Sequence, residues 1–139
     1  MKITRDVTLC IPTVNRPAEL AVALSSVLGQ TIKPYRVLVS LDGDAEQQAV
    51  IEQDGLIDNV RIALEANGVQ CKFVVNPGPH GIGQTKNFYL NFIESEWFLQ
   101  LEDDAWLSPD YIERLVSTPT FTKRQTAGLA GVQLLPKLP

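Results

Sequence analysis

The sequence predicts an α/β protein with a mostly parallel sheet flanked by helices. Two observations carry this. Short apolar, β-branched runs alternate with helix-period segments along the chain. The run Tyr35-Arg36-Val37-Leu38-Val39-Ser40-Leu41 has hardly any polar interruption, which suits a parallel strand buried on both faces. With 139 residues the chain can build one real core and is too short for two ordinary domains, so residues 1–139 are expected as one domain.

The first strand is expected over Val7-Thr8-Leu9-Cys10-Ile11, which is β-branched and apolar, and Pro12 ends it. Thr13 to Arg16 is then a loop. Pro17 suits a first helical turn, and Leu20, Leu24, Val27 and Leu28 follow at helical spacing, so a helix is expected over about 17–29 with Gly29 as its stop. The second strand, 35–41, ends in the turn Asp42-Gly43-Asp44. Residues 45–54 read as a helix. Asp58-Asn59 reads as the cap of another helix running to Ala66. Cys71 to Val75 is the third strand.

Asn76 to Gly83 is a Gly/Pro-rich loop. Phe88, Tyr89, Phe92 and Ile93 recur at helical spacing, giving a helix over 84–94. Trp97 to Leu101 is the fourth strand. Ser108-Pro109 reads as an N-cap and first-turn proline of a short helix containing Tyr111, Ile112, Leu115 and Val116. Residues 119–125 read as a loop, 127–135 as a last strand and 136–139 as a tail.

Hydrophobic residues are 45% and charged residues 20% of the chain, which fits a globular protein. The formal net charge is -4 and no Lys/Arg block occurs, so no nucleic-acid-binding face is indicated. Cys10 and Cys71 each lie in an apolar run and read as buried small hydrophobes of a reducing compartment. No apolar run approaches the ~18 residues of a membrane span, and no signal-like start is present, so a cytoplasmic location is expected.

The stretch Glu102-Asp103-Asp104 stands out. Three adjacent carboxylates repel one another, and a cation or ligand that offsets the charge relieves this. They follow the fourth strand directly, at the carboxyl end where open α/β sheets place ligands. Right-handed crossovers would bring Thr13–Arg16, Asp42–Asp44, the 76–87 loop and Glu102–Asp104 to the same rim. Carboxylates there can bind Mg2+ or Mn2+ through oxygen, and such a cation can bridge phosphate oxygens. Arg16 and Lys86 can add positive charge, the helix starting near Gly83 can offer free N–H groups, and Asp42 can accept hydrogen bonds from a base or ribose.

Each residue also has a plainer role. Arg16 and Lys86 read equally as solvated surface cations, Asp42-Gly43 as a turn, and the acidic triplet as a solvated loop. His80 reads as an exposed loop residue. Trp97, Phe98, Phe88 and Phe92 read as core. No phosphate loop, Cys/His metal spacing or nucleophile elbow occurs.

Five motifs in order over residues 7–112 resemble the nucleotide-sugar-binding half of a GT-A glycosyltransferase of family 2. They are Val7 to Arg16, Ser25-Ser26-Val27-Leu28-Gly29-Gln30-Thr31, Val37 to Gly43, Asn76-Pro77-Gly78 with Gly83 to Asn87, and Glu102-Asp103-Asp104 followed by Trp106 to Tyr111. The Glu-Asp-Asp form of the family's DXD motif also resembles family 13 N-acetylglucosaminyltransferases. The resemblance implies a Rossmann-like fold, a UDP-, GDP- or dTDP-sugar donor, and Mn2+ or Mg2+. Pro12, Thr13 and Arg16 would line the nucleotide pocket, and Asp42 would contact base or ribose. Lys86 stands where the family usually has arginine, which weakens bidentate contact. Asp104 and Glu102 would hold the metal, with Asp103 supporting them at the donor.

Family members continue for roughly another domain-half with the acceptor site and a general base. Beyond Asp104 the acids are Asp110 and Glu113, and neither matches that base, so the catalytic base is unassigned and the domain is expected to be C-terminally short. The reading that follows is a metal-dependent, inverting glycosyltransferase with an unknown acceptor. A truncated nucleotide-sugar-binding module without transferase activity of its own is the alternative, and a nucleotidyltransferase ranks last because Asn15-Arg16-Pro17 is not its Gly-rich motif.

Overall fold

The computed structural model describes residues 2–79 and 81–122. Four parallel strands form one sheet: β1 (Lys2–Thr13), β2 (Ile32–Leu41), β3 (Gln70–Val75) and β4 (Trp97–Gln100), in the order β3-β2-β1-β4. The chain builds β1, β2 and β3 outward in one direction. It then returns across the sheet to lay β4 on the other side of β1. That reversal lies between β1 and β4 and is the topological switch point where open parallel sheets bind ligands.

The helices are α1 (Pro17–Leu28), α2 (Ala45–Glu52), α3 (Gly55–Ala66), α4 (Ile82–Leu90) and α5 (Tyr111–Val116), followed by a 3₁₀ turn over Pro119–Thr122. Strand alternation assigns them to faces. Leu9, Ile11, Val37, Val39 and Leu41 pack against Leu20, Leu24 and Val27 of α1, Ile57 and Leu64 of α3, and Ile112 of α5. The opposite parity, Cys10, Leu38 and Val74, packs under Tyr89 of α4. Fully burying one such side chain contributes about 1.5–3 kcal/mol, so the first face holds most of the apolar stabilisation.

Several boundaries differ from the sequence reading. Lys2 to Asp6 lack a strand pattern, yet β1 begins at Lys2, because this stretch pairs with Ile32–Pro34 and shifts register before Thr8. Pro34 would be costly in a central strand. Here it precedes the β3 pairing, which starts at Arg36, so β2 is still a sheet edge there. α3 is capped by Asp54, whose carboxylate accepts from the Ile57 N–H at 2.9 Å, and not by Asp58. α4 runs 82–90 in place of 84–94. α5 starts at Tyr111, because Ser108-Pro109-Asp110 form a turn closed by Tyr111 N–H to the Ser108 carbonyl.

Phe98, expected in the core, is 45% exposed, on the face of β4 where Tyr89 is its ring neighbour. Trp97 stacks on Phe121 with ring centroids 4.9 Å apart. Cys10 and Cys71 are free thiols on β1 and β3, with β2 between them. The expected strand over 127–135, the tail and His80 lie outside the described residues. No helix among the described residues is long and apolar enough to cross a membrane.

Candidate functional site

All four loops foreseen at the carboxyl rim meet in one cleft of about 940 Å³. The first contributes Pro12, Thr13, Val14 and Arg16. The second contributes Asp42, Gly43, Asp44 and, from α2, Gln47. Gly81, Thr85 and Lys86 come from the start of α4, and Glu102 and Asp103 from the loop after β4. Asp104 is outside the lining, exposed beside it.

Local chemistry aims each loop. Asn15 takes a left-handed φ of 48°, which asparagine tolerates better than most residues, and turns the chain from β1 towards α1. Arg16 occupies the N-cap position without capping through its side chain, so the guanidinium is available for other contacts. Gly43 has a φ of +86° that an L side chain would strain. It delivers Asp44 to a capping box with Gln47, which starts α2. Asp42 and Asn76 lie on adjoining strand tips, where the Asn76 amide donates to the Asp42 carboxylate at 2.7 Å. The Asn76 oxygen accepts from Gly78 N–H at 3.0 Å, tying the Pro/Gly loop to the same point.

The acidic triplet separates its charges. Asp103 turns inward and is buried, accepting a 2.9 Å hydrogen bond from Thr13 Oγ1. Asp104 turns outward. Glu102 accepts from Gln100 Nε2 at 3.0 Å, and Gln100 in turn accepts from the Tyr89 hydroxyl at 2.9 Å. Arg16 Nη1 lies 3.5 Å from a carboxylate oxygen of both Asp103 and Asp104. Burial pushes the Asp103 carboxyl above its ordinary range. The Thr13 bond and Arg16 pull it back, while Asp104 and Glu102 add to the rise.

Among the described residues no three Asp, Glu, His or Cys side chains gather into a metal cage. The donor set nevertheless fits Mg2+ or Mn2+, which favour oxygen ligands; Mg2+ in particular is commonly held by one or two carboxylates plus substrate phosphates. Glu102 and Asp104 are the exposed members of the triplet and could supply those carboxylates.

The sequence reading placed Val14, Asp44, Gly81 and Thr85 on the rim within its four loops without giving them a role, and it missed Gln47 as a cleft residue and Asn76 as the partner of Asp42. The one available signal was position, since each follows or opens an element at the same rim. It also missed that Thr13 and Arg16 bind the triplet itself, across 90 and 87 residues of sequence.

A glucosyl-dolichyl phosphate glucuronosyltransferase of Haloferax volcanii is 28% identical over 119 residues, covering 85% of this chain and 34% of that protein. Among solved structures, the mannosyltransferase PcManGT of Pyrobaculum calidifontis, in complex with GDP-Man and Mn2+, superposes with a TM-score of 0.60. It is 21% identical, over 84% of this chain and 34% of its own. S. aureus TarS 1-349 in complex with UDP gives a TM-score of 0.60 at 20% identity, over 84% of this chain and 31% of that one. These likenesses show a shared GT-A, Rossmann-like fold. The chain spans about a third of the length of the curated relatives it matches. The description of Glycosyl transferase family 2 matches residues 8–125, which is most of the sequence, and the chain belongs to that family.

Proposed function

We propose that this chain is the donor-binding part of a metal-dependent, inverting glycosyltransferase that takes a nucleoside-diphosphate sugar. The single observation that carries the reading is the convergence of four loops, 90 residues apart at the extremes of the Thr13–Asp103 bond, on one cleft at the sheet's switch point. A cleft of about 940 Å³ is of the size that holds a nucleotide sugar. Relatives in the same fold have been solved with UDP and with GDP-Man and Mn2+.

In this reading Pro12 and Thr13 line the nucleotide pocket, and Asp42, held by Asn76, accepts from the base or ribose. Arg16, Lys86 and the N-terminus of α4 face the diphosphate. Glu102 and Asp104 hold the metal, and Asp103 orders the loop that carries them. A divalent ion held there would supply positive charge to offset that of a leaving diphosphate. Asp110 and Glu113 are not assigned as the acceptor's base: Asp110 pairs with Arg114 at 3.7 Å, and Glu113 accepts from Thr31 Oγ1 at 2.6 Å.

A second reading is a binding module without turnover of its own, since neither Asp110 nor Glu113 is assigned as the acceptor's base. One assay separates the two. UDP-, GDP- and dTDP-sugars are supplied with Mn2+ and an acceptor panel, and nucleotide release is followed. Release above the metal-free control supports the enzyme. Saturable binding without release supports the module. Absence of both refutes the donor-site proposal.

A further inference from the structure

We propose that Arg16 is the internal counter-ion of the acidic triplet, and that it couples metal binding to diphosphate binding by changing partners. The inference rests on the donor-site reading above. Both oxygens of Asp103 are engaged: Oδ2 accepts from Thr13, and Oδ1 faces Arg16 Nη1 at 3.5 Å. The same Nη1 lies 3.5 Å from Asp104 Oδ2, on the carboxylate assigned to the metal. A divalent cation arriving alone therefore meets a guanidinium already seated between two of the three acids. It must displace Arg16 or share the site with a like charge.

A nucleoside diphosphate changes that balance. Arg16 lines the cleft as well as touching the triplet, so it can reach a ligand without rearranging the backbone. Guanidinium matches phosphate oxygens in a fork geometry that its present single-nitrogen contacts do not use. Its side chain is 53% exposed and held by two contacts at 3.5 Å, so the present pairing is weak enough to exchange. When the diphosphate draws Arg16 away, Asp104 becomes free for the cation that the diphosphate also ligates. Metal and nucleotide then help each other, and by linkage the factor is the same in both directions.

The test follows free Mn2+ by electron paramagnetic resonance during titration of the 139-residue chain, alone and with saturating UDP or GDP. Wild type is compared with Arg16→Gln. Because Arg16 makes no side-chain cap bond, the variant is expected to fold, with the melting temperature as control; Arg16→Met serves as a second variant with the same readout. For Arg16→Gln, Mn2+ alone is expected to bind about two- to fivefold tighter, the size of releasing a solvent-screened pair. Nucleotide alone should bind more weakly. The factor by which nucleotide improves Mn2+ binding should drop by about threefold or more, against the 5–150-fold range typical of coupled sites. If Mn2+-only affinity and the coupling factor are unchanged while nucleotide binding weakens, Arg16 is a phosphate contact alone and the inference falls, with the donor-site reading intact. If wild type binds neither Mn2+ nor nucleotide, both fall.

Discussion

At the scale of single residues, Thr13 joins fold to chemistry through two atoms. Its backbone carbonyl accepts from Asp42 N–H at 3.0 Å, and its hydroxyl donates to the buried Asp103 carboxylate at 2.9 Å. Thr13→Val keeps the shape and removes the donor, leaving one oxygen of a buried acid unpaired. The expected cost is about 1–3 kcal/mol, read as a lower urea midpoint at unchanged slope; a change within about 0.5 kcal/mol would contradict the role given to Thr13. Cys10 gives a second prediction. It is fully buried, and burial pushes its thiol from 9.0 up to about 12. The folded value lies above the unfolded one, so the stability linked to the protonated thiol is complete below about pH 9 and is lost as pH rises towards about 12. At pH 8 the buried thiol is held in its protonated, unreactive form. Iodoacetamide should label Cys10 only as fast as the chain opens, and prompt labelling of the native protein would refute this. One of these properties is readable from the sequence and the other is not. The apolar run announces that Cys10 is buried, but not that the residues facing Asp103 come from 87 and 90 positions away.

At the scale of elements, the Ser-x-x-x-Gln-Thr end of α1 explains how the triplet loop is held in place. Gln30 is buried beyond the helix. Its amide donates to the carbonyls of Ser108 at 2.6 Å and Ser26 at 3.2 Å, and its oxygen accepts from Ile112 N–H at 3.1 Å. Ser26 Oγ accepts from Leu107 N–H, and Thr31 N–H donates to the Pro109 carbonyl. The loop between β4 and α5 is thus stitched to α1 on its far side. Gln30→Ala leaves the buried Ile112 N–H without its partner and takes one donor from the part-buried Ser108 carbonyl, which keeps Tyr111 N–H, at an expected cost of about 1–3 kcal/mol. Hydrogen exchange should localise the loosening to the amides of Leu107 and Ile112; retained protection there would contradict the tie. Element type was largely legible, because periodicity reports burial. Element ends were less so, because caps compete locally: Asp54 and Asp58 both offer a capping side chain, and only the chain's path after α2 chooses Asp54. The 108–110 turn replaced an expected helical start because the Pro109 carbonyl is engaged by Thr31.

At the scale of the whole molecule, topology does most of the functional work. Four parallel strands point the same way, so four loops far apart in sequence share one rim. The alternation of strands and helices is enough to anticipate that convergence. It cannot give the order β3-β2-β1-β4, which puts the Thr13 loop next to the acidic triplet and so sets the contacts between them. The central claim is that this rim binds a nucleoside diphosphate together with a divalent cation held by the triplet. Calorimetric titration of UDP and of GDP, with and without Mn2+, tests it on wild type and on Asp104→Ala. Asp104 is exposed, so its removal should leave the fold unchanged. Mn2+ is expected to tighten nucleotide binding to wild type by about tenfold or more, and Asp104→Ala to abolish most of that gain while metal-free binding persists. Equal Mn2+-dependent tightening in wild type and Asp104→Ala would contradict it.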